Sequence, residues 1–266
     1  MRVVRTVAEV REALREPRAR GERIGLVPTM GAFHAGHVSL MRAAREACDL
    51  VVVSLFVNPS QFTVAEDLAR YPRDEAADAR VAEAEGVDLF FTPSADELYP
   101  PGFDTWVEPG ELGSVLEGAA RPGHFRGVAT VCAKLFAIVG PSTAWFGQKD
   151  AQQVAVVGQI VADLDLPLEV RVLPTVRDGD GLALSSRNVF LSAAERSVAL
   201  ALPRAIEAGA AAQAAGGDPV AAARAVLESE RGLTVDYVAV ADFDRPTLVA
   251  AVRVGQTRLI DNAVLG

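Results

Sequence analysis

The sequence predicts an α/β protein: a Rossmann-like parallel-sheet domain over residues 1–175, followed by a smaller α+β domain over 176–266. Three observations carry this. "LVVVSLFVNP" (50–59) is almost wholly apolar, the mark of a central parallel strand covered on both faces. Apolar strand-like runs alternate with helix-like segments as far as Val176, which calls for crossovers and a parallel sheet. Past Val176 the texture changes to a loop, an alanine-rich stretch and then β-rich runs.

"ERIGLVPTM" (22–30) reads as a short buried strand and "HVSLMRAAREACD" (37–49) as a helix; with 50–59 they make a strand–helix–strand unit. A polar helix over 65–86 leads to the apolar strand "VDLFFTP" (87–93). "GVATVCAKLFAIVG" (127–140) is a helix, "TAWFGQ" (143–148) a strand, 149–164 a helix and "LEVRVLPTV" (168–176) a strand. "RDGDGLALSSRN" (177–188) is loop-like. Helices are expected from about Ser192 to Glu230, with a turn at Gly216-Gly217. "LTVDYVAVAD" and "TLVAAVRVGQTRLIDN" read as strands of the smaller unit.

At 266 residues, half of them hydrophobic, the chain can bury a real core. A net charge of −9 argues against a nucleic-acid partner. No apolar run reaches the roughly 18 residues that span a bilayer. "MRVVRTVAEVREAL" carries scattered charge and no signal-peptide core. Cys48 and Cys132, far apart and without CxxC spacing, read as buried thiols in a reducing cytoplasm. Of the 26 basic residues only Lys134 and Lys149 are lysine, a compact point charge that arginine cannot mimic.

No P-loop and no GxGxxG occurs. The first strand–helix turn instead carries "TMGAFHAGH", with two of the chain's three histidines, His34 and His37. Gly31 and Gly36 permit a tight turn, and backbone N–H groups at the helix start can receive an anion. A helical wheel puts His37 on the face of Met41, Ala44 and Cys48. A hydrogen-bonded core histidine would explain one such residue; the HxxH pair at this junction favours imidazoles that cap phosphate oxygens.

In "WFGQKDAQQ" a wheel started at Lys149 puts Asp150 and Gln153 within the apolar arc, Lys149 at its edge and Gln152 outside. A lysine at a helix N-terminus opposes the helix dipole, a conflict that an anionic ligand resolves. In "LALSSRN", Ser185 and Ser186 can donate and Arg187 can fork onto a pyrophosphate, although SSR is also an ordinary helix entry. "FVNPSQF" places Asn58 and Gln61 at the carboxyl end of a parallel strand, where open α/β sheets bind ligands. "EGAARPGHFRGVAT" holds His124 between Arg121 and Arg126, either a solvated loop or a basic flap over an anion. Lys134 reads as snorkelling to solvent.

"PTMGxxHxGH", "FVNPxQF", "YPR", "LEGAxRPGHFRGV", "FGQKDxQQ", "DGLALSSRN" and "RLIDN" occur in this order over essentially the whole chain. In this it resembles the pantoate–β-alanine ligase family. The HxGH and SSR elements resemble signatures of the wider nucleotidyltransferase superfamily. The resemblance implies ATP- and magnesium-dependent joining of (R)-pantoate to β-alanine through a pantoyl adenylate, with magnesium held mainly by phosphate oxygens and no protein metal site. It implies that Met30, Gly31, Ala32, Phe33, His34, Ala35, Gly36 and His37 line the ATP site, with His37 in the proton-donor position. Gly147, Gln148, Lys149 and Asp150 would form a nucleotide cradle, with Lys149 on the phosphates. Val176, Leu184, Ser185, Ser186 and Arg187 would cover adenine and phosphates from a C-terminal lid domain. Gln61 and Gln153 would hold pantoate, and Asn58, Tyr71, Arg121 and His124 match residues around that pocket. A homodimer is implied as well.

Two features depart from the family pattern. Ser60 stands where many members carry methionine or threonine. "VADFDRPTLVAAVRVG" (240–255) is several residues shorter than expected between its strands. Two other readings remain open at this level: a cytidylyltransferase of the same superfamily, and a nucleotide-binding protein without turnover.

Overall fold

The computed structural model describes residues 1–62 and 65–266, and the chain divides into two compact units. The first comprises Met1–Phe146 and Val156–Leu173, the second Gly147–Ala155 and Pro174–Gly266. Gly147–Ala155, which a boundary near residue 175 leaves with the first domain, groups with the second unit.

The first unit is built on a six-stranded sheet: β1 (Arg2–Val4), β2 (Ile24–Thr29), β3 (Leu50–Leu55), β4 (Leu89–Phe91), β5 (Thr143–Gly147) and β6 (Glu169–Leu173), in the order β1-β4-β3-β2-β5-β6. The pairs β1/β4, β3/β4, β2/β3 and β2/β5 are parallel, as the alternation of strands and helices predicts. The apolar run at 50–59 is explained by its central place: Val51, Val52 and Val53 are wholly buried. The strand order reverses between β2 and β5. The loop leaving β2 therefore lies where open sheets of this kind bind ligands.

Its helices are α1 (Val7–Ala19), α2 (Ala35–Ala47), α3 (Ala65–Arg70), α4 (Glu75–Ala84), α5 (Ala95–Leu98), α6 (Glu117–Ala120) and α7 (His124–Val139), with α8 (Ala151–Asp163) running from the second unit into the first. The α1 start is a capping box, in which Thr6 and Glu9 satisfy each other's amides. Leu40, Met41 and Ala44 of α2 pack with Val27, Val51, Val53 and Phe90. The expected helix over 65–86 is two helices. Pro72 lacks the N–H that a continuous helix needs, and Asp74 caps a new start by accepting from the Ala77 amide at 2.9 Å. Lys134 does more than snorkel: its ammonium lies 4.7 Å over the Phe103 ring.

The second unit pairs α9 (Ala193–Ala199), α10 (Ala201–Ala214) and α11 (Pro219–Ser229) with an antiparallel sheet of β7 (Leu233–Phe243), β8 (Arg245–Val254) and β9 (Thr257–Val264). Leu202, Ile206, Leu227, Leu248, Ala250 and Val252 share its core. "TLVAAVRVGQTRLIDN" is a hairpin, not one strand; it turns at Gly255, whose φ is 56°. In the short 240–255 stretch Phe243 pairs with Arg245, and Asp244 alone makes the corner at φ 70°. Among the described residues no helix is long and apolar enough to cross a membrane.

Candidate functional site

In the first unit the loop after β2 turns through Gly31 and Ala32, both left-handed, at φ 88° and 54°. A buried carboxylate holds this turn. Asp78 of α4 accepts from the Ala32 amide at 2.9 Å and from the Phe33 amide at 2.8 Å. An added Cβ at Gly31 would sit 2.8 Å from the same carboxylate, so glycine is required there on two counts. The expectation of loose amides at this turn is thereby narrowed. The amides of residues 32 and 33 belong to Asp78, and those of residues 34 and 36 to the histidines.

His34 caps α2 by accepting from the Gly36 amide at Nδ1 (3.1 Å), and His37 accepts from the His34 amide at its own Nδ1 (3.3 Å). An amide only donates, so each Nδ1 carries a lone pair and the neutral ring's proton sits on Nε2. The rings lie 4.2 Å apart, and Phe33 flanks His37 at 5.2 Å. The backbone thus selects two Nε2–H donors at the carboxyl end of the sheet. Ala35 is exposed in this first helical turn.

A second, buried network follows β3. Asn58, 1% exposed, caps the 3₁₀ turn Pro59–Gln61. Its Nδ2 donates to Gln61 Oε1 (2.9 Å) and to the Gly127 carbonyl (3.1 Å). Its Oδ1 accepts from Ser60 Oγ (2.8 Å) and Tyr99 Oη (2.9 Å). Gln61 Nε2 lies 3.2 Å from Met30 Sδ, joining this network to the β2 loop.

His124 is buried at the start of α7, 2.8 Å through Nδ1 from the Gln61 carbonyl and 3.2 Å through Nε2 from Arg121. A carbonyl only accepts and a guanidinium only donates, so the proton sits on Nδ1, the opposite tautomer to the other two. The solvated loop does not describe it: His124 is buried and braces the Gln61 backbone. Tyr71 packs edge-on against Phe62 at 5.9 Å. Burial raises the Tyr99 pKa, which keeps its hydroxyl a donor.

In the second unit, Gln148, Lys149 and Asp150 form a 3₁₀ turn that starts at Gly147. Lys149 Nζ lies 3.6 Å from Asp150 Oδ1. Asn262 of β9 fixes this turn. Its Nδ2 donates to the carbonyls of Gln148 and Lys149, both at 2.9 Å, and its Oδ1 accepts from Gln148 Nε2 at 3.1 Å. The wheel at Lys149 requires correction: Gln152, placed outside the arc, is buried at 5%, and Gln153 is half-buried. The 3₁₀ turn advances about 120° per residue instead of 100°, so a wheel begun inside it enters α8 out of phase.

The loop-like 177–188 folds back on itself. The Leu184 amide donates to the Val176 carbonyl (2.9 Å), and Arg177 bridges Ala183. Arg177 also grips buried Asp261 at 2.6 and 3.0 Å, and Arg196 ties down Asp178 and Asp180. Ser185 then caps a 3₁₀ turn over Ser186–Phe190 by accepting from the Arg187 amide, which leaves its hydroxyl proton to donate. Ser186 and Arg187 are half-buried.

Within the first unit the structure gathers Met30–His37, Asn58, Gln61, Arg121 and His124. Within the second, the turns holding Lys149 and Ser185–Arg187 both pack on β9. Sequence reasoning missed Asp78, Tyr99 and Asn262. Two consecutive left-handed residues before a helix signal that an acceptor is needed, yet nothing local says that it comes from residue 78. Among the described residues no three His, Cys, Asp or Glu side chains group as a metal site.

Comparison with known proteins agrees with this architecture. The family model described as pantoate-beta-alanine ligase matches residues 2–264. A pantothenate synthetase from Acidobacterium capsulatum is 52% identical over 291 residues, covering 100% of this chain and 97% of that one. One from Roseiflexus sp. is 52% identical over 279 residues, covering 100% and 99%. The crystal structure of pantothenate synthetase from Thermus thermophilus superposes with a TM-score of 0.93 at 45% identity, covering 99% of both chains. The Francisella tularensis pantoate-beta-alanine ligase, complexed with beta-gamma ATP and beta-alanine, gives 0.86 at 33%, covering 99% and 97%. A match this complete, at this identity, places the chain in the pantoate–β-alanine ligase family.

Proposed function

We propose that this chain condenses (R)-pantoate with β-alanine at the expense of ATP, releasing AMP and pyrophosphate. The observation that carries the reading is the family match over residues 2–264. The donor-rich geometry of both units agrees with it. A pantoate carboxylate oxygen attacks the α-phosphorus and pyrophosphate leaves; the β-alanine nitrogen then attacks the acyl carbon, the bond to AMP breaks, and the amine loses its proton. Charge builds on phosphate oxygens in the first step, so catalysis needs placed donors and cations more than a carboxylate pair.

His34 and His37 supply Nε2–H donors to the phosphates, beside a nucleotide wall of Met30–Gly36. Gln61 and Gln153 hold the pantoate oxygens, with Asn58, Tyr71, Arg121 and His124 around them. From the second unit, Lys149 supplies a compact charge, and Ser185, Ser186 and Arg187 supply further donors. Gly147, Gln148, Asp150, Val176 and Leu184 shape the nucleotide cradle. Magnesium, a hard cation with oxygen ligands, would ride on the phosphates and neutralise their charge.

Two buried, unpaired thiols support a cytoplasmic setting; burial pushes the Cys132 thiol up to about 12, so it stays inert at neutral pH. Family likeness supports a homodimer, which light scattering after size exclusion measures. The activity is tested by supplying ATP, magnesium, pantoate and β-alanine. Pantothenate and AMP are expected in equal amounts; ADP, or no pantothenate, rejects the reading.

A further inference from the structure

Nothing in the sequence singles out Tyr99, which enters the site only through the fold. Its hydroxyl lies 2.9 Å from Asn58 Oδ1 and 3.2 Å from Ser60 Oγ; Ser60 Oγ in turn lies 2.8 Å from Asn58 Oδ1. Each hydroxyl owns one proton, so two of these three edges carry a hydrogen bond at a time. The ring is held independently of the hydroxyl, edge-on to Phe103 at 5.0 Å and stacked on Trp106 at 6.3 Å. Lys134 lies over the ring at 5.8 Å. Removing the oxygen alone therefore leaves the ring's packing in place.

The consequence lies two bonds away, at Gln61. Oδ1 of Asn58 faces the two hydroxyls and the Ser60 amide (3.3 Å) while its Nδ2 faces the Gly127 carbonyl and Gln61 Oε1, so the Gln61 amide has one polarity: carbonyl inward, Nε2–H₂ toward Met30. A thioether is a weak acceptor, so that NH₂ retains most of its capacity for an oxygen. We propose that Tyr99, with the Ser60 hydroxyl, is a positioning residue that acts through Asn58 to present Gln61 as a donor to an acceptor oxygen of pantoate. Ser60, the departure from the family pattern, is then a working member of the relay; threonine would keep its hydroxyl and methionine would remove it.

The inference rests on the proposed role of Gln61, so that role is measured alongside. Steady-state kinetics compare Tyr99→Phe, Ser60→Ala, Ser60→Thr and Gln61→Ala in the full chain. Tyr99→Phe is expected to raise the pantoate KM about three- to tenfold, the usual worth of one neutral hydrogen bond, with the ATP KM unchanged. Ser60→Ala should do the same, Ser60→Thr should restore near-wild-type values, and the double variant Tyr99→Phe/Ser60→Ala should be less than additive. If Gln61→Ala raises the pantoate KM while Tyr99→Phe does not, the relay is wrong and the site assignment stands. If Gln61→Ala leaves it unchanged, the assignment itself falls. Should Tyr99→Phe unfold the protein, Ser60→Ala against Ser60→Thr decides alone: equal pantoate KM values reject the relay.

Discussion

Gly127→Ala perturbs the site from behind, through packing. Gly127 lies one turn into α7, where the helix crosses the 3₁₀ turn bearing Gln61. An ideal Cβ there would sit 2.5 Å from the Ser60 carbonyl oxygen and 2.6 Å from the Gln61 amide nitrogen, against 3.4 Å or more for ordinary contact. Both obstacles are backbone, so helix and turn must part by about 1 Å. That movement stretches the bonds from Asn58 Nδ2 to the Gly127 carbonyl (3.1 Å) and from His124 to the Gln61 carbonyl (2.8 Å).

Overpacking costs roughly 1–3 kcal/mol, and weakening two buried hydrogen bonds adds about 1 kcal/mol. Alanine's better helix propensity returns about 0.5–1 kcal/mol. The net loss of about 1–3 kcal/mol corresponds to a fall in Tm of roughly 2–6 °C for a chain of this size. A misplacement of about 1 Å in a substrate-holding group costs up to about a hundredfold in rate. Thermal denaturation and steady-state kinetics with pantoate as the varied substrate measure both effects. A variant as stable as the parent, with unchanged pantoate kinetics, would refute the close approach of α7 and with it the bracing of Gln61.

Asp78→Asn leaves one of the two loop amides facing an amide NH₂; activity should drop at least tenfold with the ATP KM raised, while Asp78→Glu should not restore it because the buried fit is tight. Asn262→Leu removes the clamp on the Gln148 and Lys149 carbonyls, and the expected result is a kcat loss that approaches that of Lys149→Ala, read by AMP release. Gly36→Ala would push a methyl to within 2.9 Å of His34 Cε1, so the His34 ring should turn off its cap and the rate should fall, as steady-state assays would record. Asp49, Glu85, Glu169 and Glu195 are held below the ordinary carboxylate range, chiefly by Arg23, Arg42, Arg171 and the Ser192 amide respectively. A depressed folded-state pKa stabilises above the unfolded value, so their contribution is complete above about pH 5 and is lost as pH falls through about 4 and below, visible as a declining Tm.

The parallel sheet was legible because its central strands advertise themselves: nothing but a doubly covered strand explains Val51–Val53. The three-residue β1 and helix α1 were not assigned, since "RVVRTVAEVREAL" mixes charge into every turn. The capping box at Thr6 and Glu9 was the available signal for α1. The single helix over 65–86 failed at Pro72 and Asp74, both of them readable punctuation. The histidine pair was legible from its junction as a candidate site, whereas its tautomers were not: they depend on amides brought to Nδ1 only by the local turn. Asp78, Tyr99 and Asn262 act on backbone or side chains 39 to 114 residues away in the chain. No periodicity encodes such contacts; they exist only once the sheet has set the loops side by side.

Isotope exchange tests, without the second substrate, whether this chain activates a carboxylate on ATP. Protein, magnesium, ATP and labelled pyrophosphate are incubated with and without pantoate, in the absence of β-alanine. Label is expected to enter ATP only when pantoate is present, and not at all in His37→Ala or Lys149→Ala. Exchange that ignores pantoate, or none with it, would contradict the adenylate and the site built around it.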